Sequence, residues 1–161
     1  MIKRLLGIII AVSLIFGCAS ALSSCTVDLS HKHYYNSIGK CGTCGYSIST
    51  LMSYSEDDKE YTAECSVTTQ TPSNDGCYYF HFIPHGEELV GFYLLGDTSV
   101  EIDRIDVYLN NAANHKGTPL LKDGLLTFDM MGGESVHLKV KFTGAGVVVL
   151  HVNEIERIRT A

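Results

Sequence analysis

A chain of 161 residues, 45% hydrophobic and 19% charged, is long enough for one domain of ordinary size and too apolar to stay disordered. Its 12 Lys and Arg stand against 18 Asp and Glu, for a formal net charge of −6. With no basic surface to track phosphates, nucleic acid is excluded as an expected partner.

The chain opens on a targeting pattern. Lys3 and Arg4 form a positive start, and Leu5 to Phe16 is an apolar run broken only by Gly7 and Ser13. The run is too short to span a bilayer comfortably, and small residues follow it, so residues 1–24 read as a signal peptide. Three cleavage sites compete. Ala19-Ser20-Ala21 suits ordinary signal peptidase, and Ile15-Phe16-Gly17-Cys18 is a poor lipobox because bulky Phe16 precedes the glycine. Leu22-Ser23-Ser24-Cys25 resembles the lipobox of bacterial lipoproteins at every position. That resemblance implies cleavage before Cys25 and lipidation of it, anchoring an otherwise soluble chain by about 0.8 kcal/mol per buried CH₂. All three sites place the mature protein outside the cytoplasm, at the cell surface or secreted.

Residues 25–60 are expected to hold the anchor, a small knuckle and a linker. His31, His33, Cys41 and Cys44 follow the pattern H-x-H-x7-C-x2-C. Zinc takes four N or S ligands in a tetrahedron, and glycines after each cysteine free the backbone to turn both sulfurs toward one centre. Two other readings stand beside zinc: a plain Cys41–Cys44 disulfide with bystander histidines, and an extracytoplasmic thiol-disulfide site. Against the redox reading, no β-α-β pattern surrounds the pair. The segment resembles short zinc knuckles of bacterial surface proteins, patterned C-x-H, aromatic, Gly, C-x-x-C-G. His33, Tyr34 or Tyr35, Gly39, Cys41, Cys44 and Gly45 match, and His31 departs by standing where that pattern has Cys. The resemblance implies one structural zinc, since four protein ligands leave no position open for water or substrate.

Tyr46 to Leu51 reads as a loop or short strand, followed by a linker with the acidic run Glu56-Asp57-Asp58. From Tyr61 the pattern is all-β, and one domain is expected over residues 61–154 with a tail at 155–161. Tyr61 to Val67 is a candidate strand, and Cys77 to Ile83 is an aromatic-rich one. Cys65 and Cys77 flank a turn-forming stretch with Pro72, Asn74, Asp75 and Gly76, so a disulfide across the feet of that loop is expected, worth on the order of 3 kcal/mol. Glu88 to Leu95 is apolar on both faces, as in a strand buried between layers. Glu101 to Leu109 alternates imperfectly, which predicts a bulge near Asp103. Residues 110–117 read as loop, and Leu125 to Met130 as a short strand. Val136, Leu138, Val140 and Phe142 alternate with His137, Lys139 and Lys141, which predicts one dry and one wet face. Gly144 to Gly146 then turns the chain, and Val147 to Val152 is expected back as the antiparallel partner of that strand.

These strands predict an antiparallel β-sandwich, jelly-roll-like, preceded by the knuckle. Tyr79-Phe80-His81-Phe82 before Gly86, Ile105 to Leu109, and Phe128 to Glu134 leading into Val136 to Val140 resemble the bacterial pre-peptidase C-terminal domain. That resemblance implies an accessory module with no activity of its own.

The residues offer no recognisable catalytic constellation either. No G-x-S-x-G or similar nucleophile motif is present, and His81, His85, His115, His137 and His151 fall on strands and turns. Asp97, Glu101, Asp103 and Asp106 carry the hard oxygens that suit calcium, though such residues more commonly line a solvated edge. Tyr78, Tyr79, Tyr93 and Tyr108 are candidate sugar-stacking platforms. The expectation is therefore a non-catalytic binding or interaction module. Its partner is an unidentified protein or glycan, and it touches the membrane through its lipid.

Overall fold

The computed structural model describes residues 31–67, 73–86, 88–119, 128–129 and 133–155. In chain order its strands are β1 (Thr50–Leu51), β2 (Ser53–Ser55), β3 (Glu60–Val67), β4 (Cys77–Phe82), β5 (Glu88–Gly96), β6 (Glu101–Leu109), β7 (His115–Gly117), β8 (Phe128–Asp129), β9 (Val136–Thr143) and β10 (Gly146–Ile155). They form two five-stranded sheets, the first ordered β1-β4-β9-β6-β7 and the second β2-β3-β10-β5-β8. The sheets pack face to face as a β-sandwich, as the strand pattern predicts. Long strands occupy the middle of each sheet, and among the described residues the outermost strands are two or three residues long. Among the described residues no helix is long and apolar enough to cross a membrane.

Alternation decides which side chains enter the core. Strand β9 buries Val136, Leu138, Val140 and Phe142 between the sheets. Opposite its flanks, Tyr78, Phe80 and Phe82 come from β4 and Ile105, Val107 and Leu109 from β6. The second sheet answers with Tyr61, Ala63, Cys65 and Val67 from β3 and Val148, Leu150 and Val152 from β10. Each large apolar side chain removed from water in this way is worth about 1.5–3 kcal/mol. The bulge expected near Asp103 lies where the β6–β9 register shifts, between Ile102 and Arg104.

Three expectations need correction. Strands β9 and β10 are not a hairpin: β9 lies between β4 and β6 in the first sheet, and β10 between β3 and β5 in the second. The turn at Gly144 carries the chain from one sheet to the other, and the turn between β5 and β6 does the same beside it. The two corners lock together through Ser99 Oγ, which donates to Ala145 O (2.8 Å), and Asp97 N, which donates to Val147 O (3.2 Å).

Strand β5 is also not buried on both faces. Phe92 enters the core, but Tyr93 and Leu95 face out beside Val147 on β10. Among the described residues, none buries Tyr93, Leu95 or Val147 on that outer face.

Cys65 and Cys77 are both free thiols. The segment joining them changes sheets rather than closing a hairpin. Cys65 points into the core, whereas Cys77 precedes core-facing Tyr78 and sits on the opposite face of the first sheet. Packed sheets lie about 10 Å apart, and a disulfide needs Cα atoms within about 6.8 Å with Cβ vectors converging. The expected bridge is therefore absent, and burial pushes the Cys65 thiol up to about 11.

Two short strands escape the sequence pattern. Strand β2 lies in the stretch expected as a linker, where Met52 beside it is buried in the core and Tyr54 packs against it. Strand β7 lies in the expected loop and pairs with β6. Of the strand expected over 125–130, only Phe128–Asp129 falls within the described residues.

Candidate metal centre

The segment before β1 is built from two tight turns. Asn36 closes the first: its Oδ1 accepts from Ile38 N and Lys40 N, both at 3.1 Å, and its backbone O accepts from Gly39 N at 3.0 Å. Gly39 takes φ +72° in this turn, a left-handed value that favours glycine. Tyr35 then pairs with Cys41, and Lys40 with Ser47, as isolated antiparallel bridges. The second turn spans the C-x-x-C: Gly45 N donates to Cys41 O (2.9 Å) and Cys41 N to Tyr46 O (2.7 Å). Gly45 is left-handed at φ +76°. The glycines that bend the backbone are thus Gly39 and Gly45, and Gly42, expected to help, does not adopt a left-handed conformation.

These turns bring the four sequence-predicted donors together. The ligand atoms of His31, His33, Cys41 and Cys44 all lie within 4.8 Å of one another. A tetrahedron with Zn–S about 2.3 Å and Zn–N about 2.1 Å has edges of roughly 3.4–3.8 Å. The Cys44 Sγ to His33 Nδ1 separation, 3.5 Å, already has that length. Side-chain rotation on the scale of an ångström closes the rest. The donor set therefore fits a metal ion. Cys41 is buried and Cys44 exposed, so the centre would sit at the surface with one sulfur held inside. The His33 ring lies between Tyr35 (centroids 5.8 Å, stacked) and Tyr46 (5.2 Å), which limits its rotation. Burial and the neighbouring Tyr46, Cys41 and Cys44 push the Tyr35 hydroxyl up.

No family model and no curated protein matches the chain. The reading of this centre accordingly rests on its own geometry.

The knuckle does not stand apart from the sandwich. Gly39 rests on the Tyr79 ring of β4 so closely that a Cβ there would come 2.7 Å from Tyr79 Cγ. Ile48 N donates to Gly39 O at 3.0 Å, and Ile38 next to Gly39 is buried. Tyr79 in turn donates its hydroxyl to Asp75 Oδ2 (3.0 Å). Asp75 also receives Lys139 Nζ at 2.5 Å, Cys77 N at 3.1 Å and the Ser73 hydroxyl. A cavity of about 160 Å³ lies between His33, Tyr34 and Tyr35 of the knuckle and Ser73 to Asp75.

Burial works against the Asp75 charge, but the hydrogen bonds from Lys139, Ser73, Cys77 N and Tyr79 outweigh it and hold the carboxyl well below the usual range. Burial likewise works against the Lys139 ammonium, and its bond to Asp75 more than compensates and raises it. A depressed acid stabilises the fold above its unfolded value, and a raised base stabilises it below its own. Asp75→Asn should therefore cost about 1 kcal/mol at neutral pH, discounted for partial exposure. The difference from wild type should narrow progressively as pH falls below about 4, and again as it rises above about 10. Urea denaturation of both proteins across pH checks this, and a constant difference would contradict it.

The other candidates are dispersed. Cys25, like Cys18, lies outside the described residues. Tyr78 is in the core, Tyr79 is under the knuckle, Tyr93 is on the outer face of the second sheet, and Tyr108 is on that of the first. His81 bonds Ser49 Oγ at 3.0 Å and stacks on His137. Among the acids considered for calcium, Asp103 pairs with Lys141 and Asp106 with Arg104. Sequence reading missed Asp75 and Lys139 as a linked pair. Alternation places Lys139 on the wet face, but only strand register shows what stands opposite it.

Proposed function

We propose that this protein is an exported, non-catalytic binding module, lipid-anchored through Cys25, whose sandwich carries a zinc-stapled knuckle. The observation that carries the reading is the convergence of His31, His33, Cys41 and Cys44 within 4.8 Å. The mixed N and S donor set suits zinc over hard cations such as calcium or magnesium. Four protein ligands complete a tetrahedron, so the ion would support the fold rather than activate water. Export is supported by the Lys3-Arg4 start, the apolar run and the Leu22-Ser23-Ser24-Cys25 pattern. The likeness to zinc knuckles and to pre-peptidase C-terminal modules agrees with an accessory role. Surface exposure would put the sandwich in reach of a protein or glycan.

The test uses protein recovered from membranes of the expressing cells. Intact mass should give a chain beginning at a lipid-modified Cys25, and an unmodified chain beginning at Leu22 would overturn the anchor. The same protein should not turn over in an insulin-reduction assay. Turnover there would replace the binding-module reading with thiol-disulfide chemistry at Cys41 and Cys44.

A further inference from the structure

We propose that the outer face of the first sheet is a ligand groove for a neutral, hydroxyl-rich molecule of the saccharide class. The inference rests on the binding-module reading and supplies the site which that reading lacks.

The groove has a volume of about 730 Å³, within the range of small-ligand sites. Its floor is the wet face of β4, β9 and β6, where Cys77 stands opposite Lys141 and Asp106 opposite Lys139. Asp75 rims one side, and Thr118 with Pro119 rims the other.

The charges on this surface cancel in pairs. Arg104 pairs with Asp106 at 2.9 Å, Lys139 with Asp75 at 2.5 Å, and Lys141 with Asp103 at 3.2 Å. Three cations against three carboxylates leave the lining neutral. An anionic ligand would have to pull a cation from its aspartate, and a cationic one the reverse. A neutral polyol can use the same groups without breaking a pair. A carboxylate offers about four lone-pair sites, more than one ammonium occupies, and hydroxyls both donate and accept.

Arg104 is the best-prepared of these groups. Its guanidinium is mostly exposed, yet Nε and Nη2 are both fixed on buried Asp106 at 2.9 Å. Thr118 Oγ1 donates to the same carboxylate at 2.5 Å, and His115 Nε2 stands 3.5 Å from it. Two of the five guanidinium hydrogens are thereby spent on orientation, and three remain for a ligand. Tyr108, tilted against His115 at 4.9 Å between centroids, adds the aromatic surface that sugar rings pack on. Planar polar groups beside an aromatic ring suit the alternating hydroxyl and C–H faces of a pyranose.

The experiment is a glycan array followed by calorimetric titration of the strongest neutral oligosaccharide against the intact mature protein. Wild type should bind at least one neutral hexose or N-acetylhexosamine oligomer. Affinity should change less than about twofold between low and high salt, because no net charge is screened. Arg104→Ala should lose binding at least tenfold. Lys141→Ala, a half-exposed position that leaves Asp106 paired, should weaken it severalfold even if the arginine variant folds poorly. Tyr93→Ala, on the opposite sheet, should bind as wild type. Absence of binding to every neutral glycan overturns the proposal, as does full binding by Lys141→Ala or loss of binding in Tyr93→Ala. Binding confined to sulfated or carboxylated glycans, falling steeply with salt, overturns it equally. A protein partner captured by a chain that binds no neutral glycan would sink the groove assignment while sparing the binding-module reading.

Discussion

Purified protein should carry one zinc per chain, and stripping it should free two thiols that react at once, with two more reacting far more slowly. The fast pair is Cys41 and Cys44, whose ligand atoms converge with those of His31 and His33. The slow pair is Cys65 and Cys77, both buried, with burial the first cause raising each thiol. The knuckle buries little apolar surface of its own, chiefly Ile38 and Cys41. A segment that small depends on its metal, and zinc binding in comparable peptides is worth about 10–16 kcal/mol near neutral pH. At a free zinc concentration a thousand times its Kd, the holo knuckle should be about 4 kcal/mol more stable than the apo form. The sandwich core does not include the knuckle's residues, so the β-sheet circular dichroism should survive chelation. Cys44→Ser should behave as the chelated protein does. Metal analysis paired with thiol counting reads all of this. A chain with no metal and no thiols at Cys41 and Cys44 would be the disulfide form, with the histidines as bystanders.

Gly144→Ala should be among the most damaging single methyl additions, at about 3 kcal/mol or more. Gly144 sits at φ +88°, and a Cβ there would overlap the backbone carbonyl of Ser99. Ser99, though exposed, is tethered on both sides. Its N–H is held by Asp97 Oδ1 at 2.9 Å, and its hydroxyl is bonded to Ala145 O at 2.8 Å. The β5–β6 and β9–β10 corners would have to shift together. Gly76 separates the two contributions, because it is left-handed at φ +72° with nothing near its would-be Cβ. Gly76→Ala should cost only about 1 kcal/mol, the conformational part alone. Urea denaturation midpoints compare the two variants. Equal midpoints would mean that the corner is softer than its contacts imply.

Much of this architecture was legible because it is periodic or composed of few residue types. The alternation from Val136 to Phe142 fixes a dry face, and the break near Asp103 marks the bulge where β6 changes register. Four donors of the right chemistry within fourteen residues point to one centre, and local turns suffice to assemble them. What was not legible depends on partners far away in the chain. Gly144 to Gly146 has the composition of a hairpin turn, and nothing local says that both flanks of β9 are already taken. Cys65 and Cys77 bracket a loop, but their sheets and faces follow from pairings with β10 and β9. Tyr93 and Leu95 look like core residues, and their exposure on the outer face of the second sheet is a tertiary fact. Asp75 lies in a turn-forming stretch, and only the folded chain sets it beside Lys139 and Tyr79.

The shortness of the outermost strands bears on how densely the protein can be crowded. A sheet edge is a template on which another chain can add itself, and its capacity grows with the row of unpaired N–H and C=O groups it offers. Here the long strands β9 and β10 are central, and among the described residues the rims β1, β7, β2 and β8 have two or three residues each. Each short rim also covers only part of the long strand behind it, β1 pairing with Phe80 and His81 of β4 and β2 with Glu60 to Thr62 of β3. Molecules held side by side on one surface would therefore meet stepped edges, which a matching strand fits poorly along its full length.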